Sequence, residues 1–165
     1  MVEITCNTCK KTIVKKELVR YTGVGGYRKM YENAAHLKAE RDVADILEKA
    51  WGCELKKLSY KLTVDFAIIR KSIIYGWIEV KCRNITYGKS NEYMISMDKI
   101  NKARQLSKNT NLSFIFVVRF TDGIYYYKDK GEQHTLKWGG RFITQRDEQD
   151  LEPCYYIDTK LFKKL

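Results

Sequence analysis

Two alternating apolar runs stand back to back with only a three-residue polar break between them, and few folds accommodate that pairing. In the first run Leu58, Tyr60, Leu62, Val64, Phe66 and Ile68 fall at every second position, leaving Asp65, Ala67 and Ile69 on the other side. After Arg70-Lys71-Ser72, the stretch from Ile73 to Cys82 reads as a second strand. Ile74, Ile78, Val80 and Cys82 share one of its faces, and Tyr75, Trp77, Glu79 and Lys81 share the opposite one. If the break is a tight antiparallel hairpin, opposed residues face the same way and Asp65 joins Glu79 and Lys81. Two carboxylates and an ammonium then converge on one patch of sheet. That grouping suits divalent-metal binding and phosphodiester chemistry.

The segment upstream has helical periodicity. From about Lys29 to Trp51, Leu37, Ala44, Leu47 and Trp51 form a stripe flanked by Val43 and Ala50, and Gly52 follows as the expected C-terminal stop. Glu40 breaks the pattern, because it lies on the stripe itself, where a leucine is the ordinary choice. A carboxylate on a core-facing stripe needs a partner, since unpaired burial is expensive. Downstream, Arg83 to Glu92 is polar, and a second helix is expected from Ser96, as N-cap, to about Lys108. Its inner stripe is Met97, Ile100, Ala103 and Leu106. Leu112 to Phe120 reads as a strand covered on both faces, and Asp122-Gly123 as the hairpin turn into Ile124 and Tyr125 to Tyr127. The order of elements describes a mixed α/β sandwich with helices on both faces of the sheet.

Thirty-one Lys and Arg against twenty Asp and Glu give a net charge of +11, spread along the chain. This favours a folded basic surface and a polyanionic partner such as nucleic acid. No run is long enough to cross a bilayer, and the N-terminus lacks a signal-peptide apolar region. The five cysteines are therefore read as reduced thiols of a cytoplasmic protein. Cys6 and Cys9 are half of a zinc-ribbon signature without its second half; a closed zinc site needs four ligands, so they are read as thiols. The glycines at Gly23, Gly25 and Gly26 match neither a dinucleotide nor a P-loop frame and read as a hinge.

Asp65, thirteen residues, then Glu79-Val80-Lys81, behind a helix carrying Glu40, resembles the PD-(D/E)XK, or restriction-endonuclease-like, nuclease superfamily. The resemblance covers roughly Tyr27 to Phe120; the proline that often precedes the family's aspartate is Val64 here. It implies a single-domain αβββαβ core with a mixed sheet flanked by helices, and a metal-dependent DNA phosphodiester hydrolase, expected to be an endonuclease. Asp65 and Glu79 would ligate Mg²⁺ or Mn²⁺ with the backbone carbonyl of Val80. Glu40 would complete the metal shell directly or through water, and Lys81 would orient or help deprotonate the attacking water. Hard oxygen donors agree with those ions. Tyr27-Arg28-Lys29 ahead of Glu40 is similar to archaeal Holliday-junction resolvases, and the compact core equally suits a phage or mobile-element endonuclease. The rival reading of another class is a non-catalytic nucleic-acid-binding protein on the same fold.

Three segments are expected: a basic leader over 1–26, a nuclease core over 27–128, and a C-terminal extension over 129–165 packing on the core. Lys99 and Lys102, beside the site, and Arg141, after two glycines, are candidate DNA-phosphate contacts, against a solvated helix face for the two lysines. Tyr125 to Tyr127, Trp138, Tyr155 and Tyr156 are more aromatic surface than one core needs, which suggests a homodimer patch. The alternative is a C-terminal segment that folds back and uses them within one subunit.

Overall fold

The computed structural model describes residues 2–5, 12–15, 34–59, 62–141, 143 and 150–165. In chain order the elements are β1 (Val2–Thr5), β2 (Thr12–Lys15), α1 (Ala34–Trp51), β3 (Glu54–Lys57), β4 (Phe66–Arg70), β5 (Ile73–Cys82) and β6 (Glu92–Ser96). They are followed by α2 (Met97–Thr110), β7 (Ser113–Phe120), β8 (Gly123–Lys128), β9 (Thr135–Gly140), β10 (Leu151–Asp158), one 3-10 turn and β11 (Lys163–Lys164). Six strands form the main sheet in the order β11-β8-β7-β5-β4-β3, antiparallel except for β5 beside β7. Strands β6, β10 and β9 form a second sheet, and β1 pairs with β2. The leader's Cys6 and Cys9, its glycines, and Tyr27 to Lys29 lie outside the described residues.

The parallel step from β5 to β7 requires a crossover, and α2 supplies it. On one face, Val43, Ala44 and Leu47 of α1 pack against Leu55, Phe66, Ile68, Ile78, Val80, Val117 and Ile124. On the other, Ile100 and Ala103 of α2 pack with Ala67, Trp77, Phe114, Phe116 and Val118, together with Tyr93, Ile157 and Phe162. This is a mixed sheet with a helix on each face. No helix among the described residues is long and apolar enough to cross a membrane.

The β4–β5 hairpin forms as the sequence suggests. Lys71 and Ser72, the two loop residues, both have positive φ (49° and 63°), the primed geometry that matches strand twist. Gly52 closes α1 at φ 60°, and the Cys53 N–H donates to the Glu48 carbonyl behind it.

Other expectations need correction. Leu58, Ser59 and residues 62–65 are not strand, Tyr60 lying outside the described residues: β4 starts at Phe66, and Leu62 is 50% exposed. The second strand that pairs with β4, besides β5, is the polar segment Glu54 to Lys57, where Leu55 alone is buried. Leu37, expected in the core, is 45% exposed, and Ala50 is exposed too. Ser96 precedes α2 but makes no side-chain cap; its hydroxyl donates to Glu152 at 2.7 Å. The turn into β8 is Thr121-Asp122, because Gly123 already pairs with Phe120.

The tyrosine excess is largely consumed within the subunit. Tyr125 and Tyr127 are buried in the core, Tyr126 stacks edge-on against Trp51, and Tyr155 packs against the core from β10. Trp138 and Leu136 on β9 remain exposed. Of the aromatic residues on which a dimer was expected, Tyr125 and Tyr127 are interior, Tyr126, Tyr155 and Tyr156 are half-buried, and Trp138 is exposed.

Candidate active site

Glu79 is the anomaly of the sheet. It sits mid-β5, between strands β4 and β7, and is 1% exposed, where an apolar residue would otherwise complete the core. One carboxylate oxygen, Oε1, accepts from the Lys81 ammonium at 2.5 Å and from the Lys99 ammonium reaching down from α2. The other, Oε2, is buried with no hydrogen-bond partner. A carboxylate oxygen left unpaired out of water costs free energy, so the position is kept for something other than stability.

Asp65 is fixed beside it by main-chain bonds on both sides. Its N–H donates to Ile78 O at 2.8 Å, and its carbonyl accepts from Leu58 N–H at 2.9 Å, carrying the sheet one residue beyond β4. Its Oδ2 then accepts from the Val80 N–H at 2.8 Å. Burial pushes the Asp65 carboxyl up, but the ammonium groups of Lys81 and Lys99, the Val80 N–H and Lys57 together outweigh it and hold its pKa below the usual value. Lys81 answers in kind. Burial alone would lower its pKa, yet Glu79 and Asp65 hold it above the ordinary lysine value, so it stands as an ammonium donor.

Glu40 reaches the same place from α1. The helix is keyed to β3 by Arg41, which donates to the Leu55 carbonyl at 3.0 Å and pairs with Glu48 at 2.6 Å. That places Glu40, half-buried on the inner stripe, 2.5 Å from the Lys57 ammonium. Burial raises the Glu40 pKa, with the Lys57 hydrogen bond opposing it. Lys57 also approaches Asp65 Oδ1 at 3.4 Å and lies 4.9 Å from the centre of the Phe66 ring. Lys57 was not anticipated from the sequence. Its signal exists only once β3 is known to pair with β4, since Lys57 opposes Phe66, the neighbour of Asp65.

The structure thus brings together Glu40, Asp65, Glu79, Val80, Lys81 and Lys99. It does not bring Lys102 or Arg141 into these ion pairs. Lys102 points to Asp98 at 2.7 Å on the exposed face of α2, and Arg141 is exposed at the end of β9, its N–H bonded to Asp150 O at 3.0 Å.

A second acidic group lies after β8. Asp129, Glu132 and His134 each bring one ligand atom within 4.8 Å of the others, and are the one such group among the described residues, a spacing that could hold a metal. The Tyr127 hydroxyl already fills that space, 2.5 Å from Glu132 and 3.1 Å from His134 Nε2, while Arg104 makes two hydrogen bonds to Asp129 at 2.6 and 2.9 Å. The group reads as a satisfied polar network. Burial, and secondarily Arg104, hold the His134 pKa below 6.5. A folded-state pKa below the unfolded one means that this contribution is present above pH 6.5 and is lost as pH falls through the folded value. The expected outcome is that His134→Gln flattens the fall in melting temperature below pH 6.5 relative to the wild type. Parallel melting curves over that range would contradict the assignment.

The comparisons with known proteins agree with this geometry. A family model described as phage putative PDDEXK endonuclease matches residues 26–165. Among solved structures, the chain is similar to Archaeoglobus fulgidus Hjc, a Holliday junction resolvase from an archaeal hyperthermophile. The TM-score is 0.56 at 15% identity, covering 80% of this chain and 93% of the resolvase, which is a likeness of fold. No curated protein sequence matches. With the family model spanning the sheet, both helices and every carboxylate of the site, this chain belongs to the phage putative PDDEXK endonuclease family.

Proposed function

We propose that the protein is a divalent-metal-dependent DNA endonuclease whose catalytic residues are Glu40, Asp65, Glu79 and Lys81. One observation carries this reading: the buried, unpartnered Glu79 Oε2 beside the anchored Asp65 carboxylate. Oxygen donors from Asp65, Glu79, the Val80 carbonyl and Glu40 fit Mg²⁺ or Mn²⁺. A bound ion would supply Lewis-acid stabilisation of the phosphate and acidify a water molecule.

The remaining work falls to the chain. Asp65, tied by main-chain bonds just ahead of β4, and Glu79 on β5 are both held by the sheet, so their separation is set by sheet geometry rather than by loop motion. The Lys81 ammonium, one residue from the Val80 carbonyl, orients the attacking water and offsets charge on the phosphate. Lys99 offers a second ammonium at the rim, and Lys102 and Arg141 are further candidates for backbone phosphates. The net charge of +11 suits a DNA partner.

Supercoiled plasmid incubated with Mg²⁺ or Mn²⁺ tests the reading. Wild type should convert it to open or linear forms, EDTA should stop the reaction, and Asp65→Asn should be inactive. Equal nicking by both proteins, or none by either, would reject it and leave a non-catalytic DNA-binding protein. A second reading, cleavage of four-way junctions, is supported by the likeness of fold to the resolvase. A panel of duplex, flap, junction and single strand separates the two. Junction cleavage also calls for two sites, and light scattering at micromolar concentration reports the dimer: a mass near 19.5 kDa without DNA, together with a complex holding a single chain per DNA, excludes it.

A further inference from the structure

Three carboxylates and three ammonium groups meet in the site: Glu40, Asp65 and Glu79 against Lys57, Lys81 and Lys99, three negative charges against three positive. The cluster is neutral before any metal arrives. The ligand atoms of the three carboxylates do not all lie within 4.8 Å of one another, whereas those of the Asp129 group do. Ammonium groups stand between them. A divalent ion shared by Glu40 and Asp65 needs the place that the Lys57 ammonium occupies, in contact with Glu40 and within reach of Asp65.

We propose that Lys57 is the resident counter-cation of the Glu40–Asp65 half of the site. It is displaced by the divalent ion and then pairs with a phosphate of bound DNA, so that metal binding and DNA binding are coupled through it. Lys57 suits the part better than its neighbours. It stands on β3, the terminal strand of the main sheet, and its side chain is 37% exposed, so it can swing outward without disturbing the core. Lys81 is half-buried on an inner strand and bound to Glu79, and Lys99 holds Glu79 rather than the two outer carboxylates. The charge balance gives the direction of the coupling. An ion added to a neutral cluster meets a lysine charge nearby in a partly desolvated site, where repulsion is strong. A phosphate relieves that repulsion by accepting the lysine. Metal alone should bind weakly, and metal with DNA tightly.

The inference rests on the proposed metal reading, and the experiment keeps the two apart. Mn²⁺ is titrated by calorimetry, without DNA, into the full chain as wild type, Lys57→Met, Lys57→Gln and Asp65→Asn, with circular dichroism to verify folding. Both Lys57 variants should bind Mn²⁺ roughly tenfold more tightly than wild type, and Mn²⁺ should raise their melting temperatures further. Asp65→Asn should lose the binding. Affinity for labelled duplex is then measured in EDTA and in Ca²⁺, and the gain from Ca²⁺ should be smaller in the Lys57 variants than in wild type. If the variants bind Mn²⁺ no more tightly than wild type while Asp65→Asn loses it, the displacement idea is wrong and the metal site stands. If Asp65→Asn binds Mn²⁺ as wild type does, or wild type binds none even with DNA, both fall.

Discussion

Lys81→Met should cleave plasmid DNA on the order of 10²–10³-fold more slowly than wild type while still binding Mn²⁺. The side chain leaves β5 on the same face as Glu79, with its ammonium 2.5 Å from Glu79 Oε1 and 3.3 Å from the Val80 carbonyl. Methionine keeps most of the apolar stem, so the substitution removes charge more than packing. What is lost is a donor aimed at the place where charge develops, and an interaction made mainly in the transition state lowers kcat without raising KM in step. Metal affinity should hold or improve, because a cation competing for Glu79 has gone. Single-turnover rates and a Mn²⁺ titration separate these effects. Cleavage at the wild-type rate would remove Lys81 from the catalytic set.

Phe116→Ala should be the costliest single truncation in the sheet, about 3–5 kcal/mol. Phe116 is fully buried on β7, in register with Glu79 on β5 and Tyr127 on β8. Its ring lies 5.4 Å from that of Tyr93 and 6.2 Å from that of Phe162, joining α2's face of the sheet to the C-terminal segment. Domains of this kind have only about 5–15 kcal/mol of stability, so a large share would go. Leu136→Ala, on the exposed face of β9, should shift stability by less than about 0.5 kcal/mol. Urea midpoints measure both. A Phe116→Ala midpoint close to that of wild type would mean that this face is not the packed core described.

The strand that carries Glu79 and Lys81 was readable because its alternation is punctuated. Ile73 to Cys82 is bounded by a polar break, and a two-residue loop fixes which residues of β4 oppose it. Glu79 and Lys81 follow from that register, and Glu40 from its misfit on an otherwise apolar stripe. The first run was only half readable. Leu58, Tyr60, Leu62 and Val64 alternate like a strand, but the partner on that side is the polar segment Glu54 to Lys57, and the register of β4 with β3 starts at Phe66, one main-chain bond beyond it reaching Asp65. A short edge strand with one buried leucine carries almost no periodic signal. For the same reason Lys57 was invisible: its importance comes from a cross-strand neighbour and not from spacing. Strand β6 was hidden within polar surroundings, because it is defined by pairing with β10 some sixty residues later. The tyrosines were ambiguous in another way. Composition counts aromatic residues but not the surface available to cover them, and the second sheet supplies that cover.

The most direct test of the account is the position of the metal. Crystals grown or soaked with Mn²⁺ give an anomalous difference map that needs no assumption about substrate. The strongest peak is expected between the Asp65 and Glu79 carboxylates and the Val80 carbonyl, with Lys57 moved away from Asp65. A peak held instead by Asp129, Glu132 and His134, with the Glu79 site carrying none at saturating Mn²⁺, would contradict it.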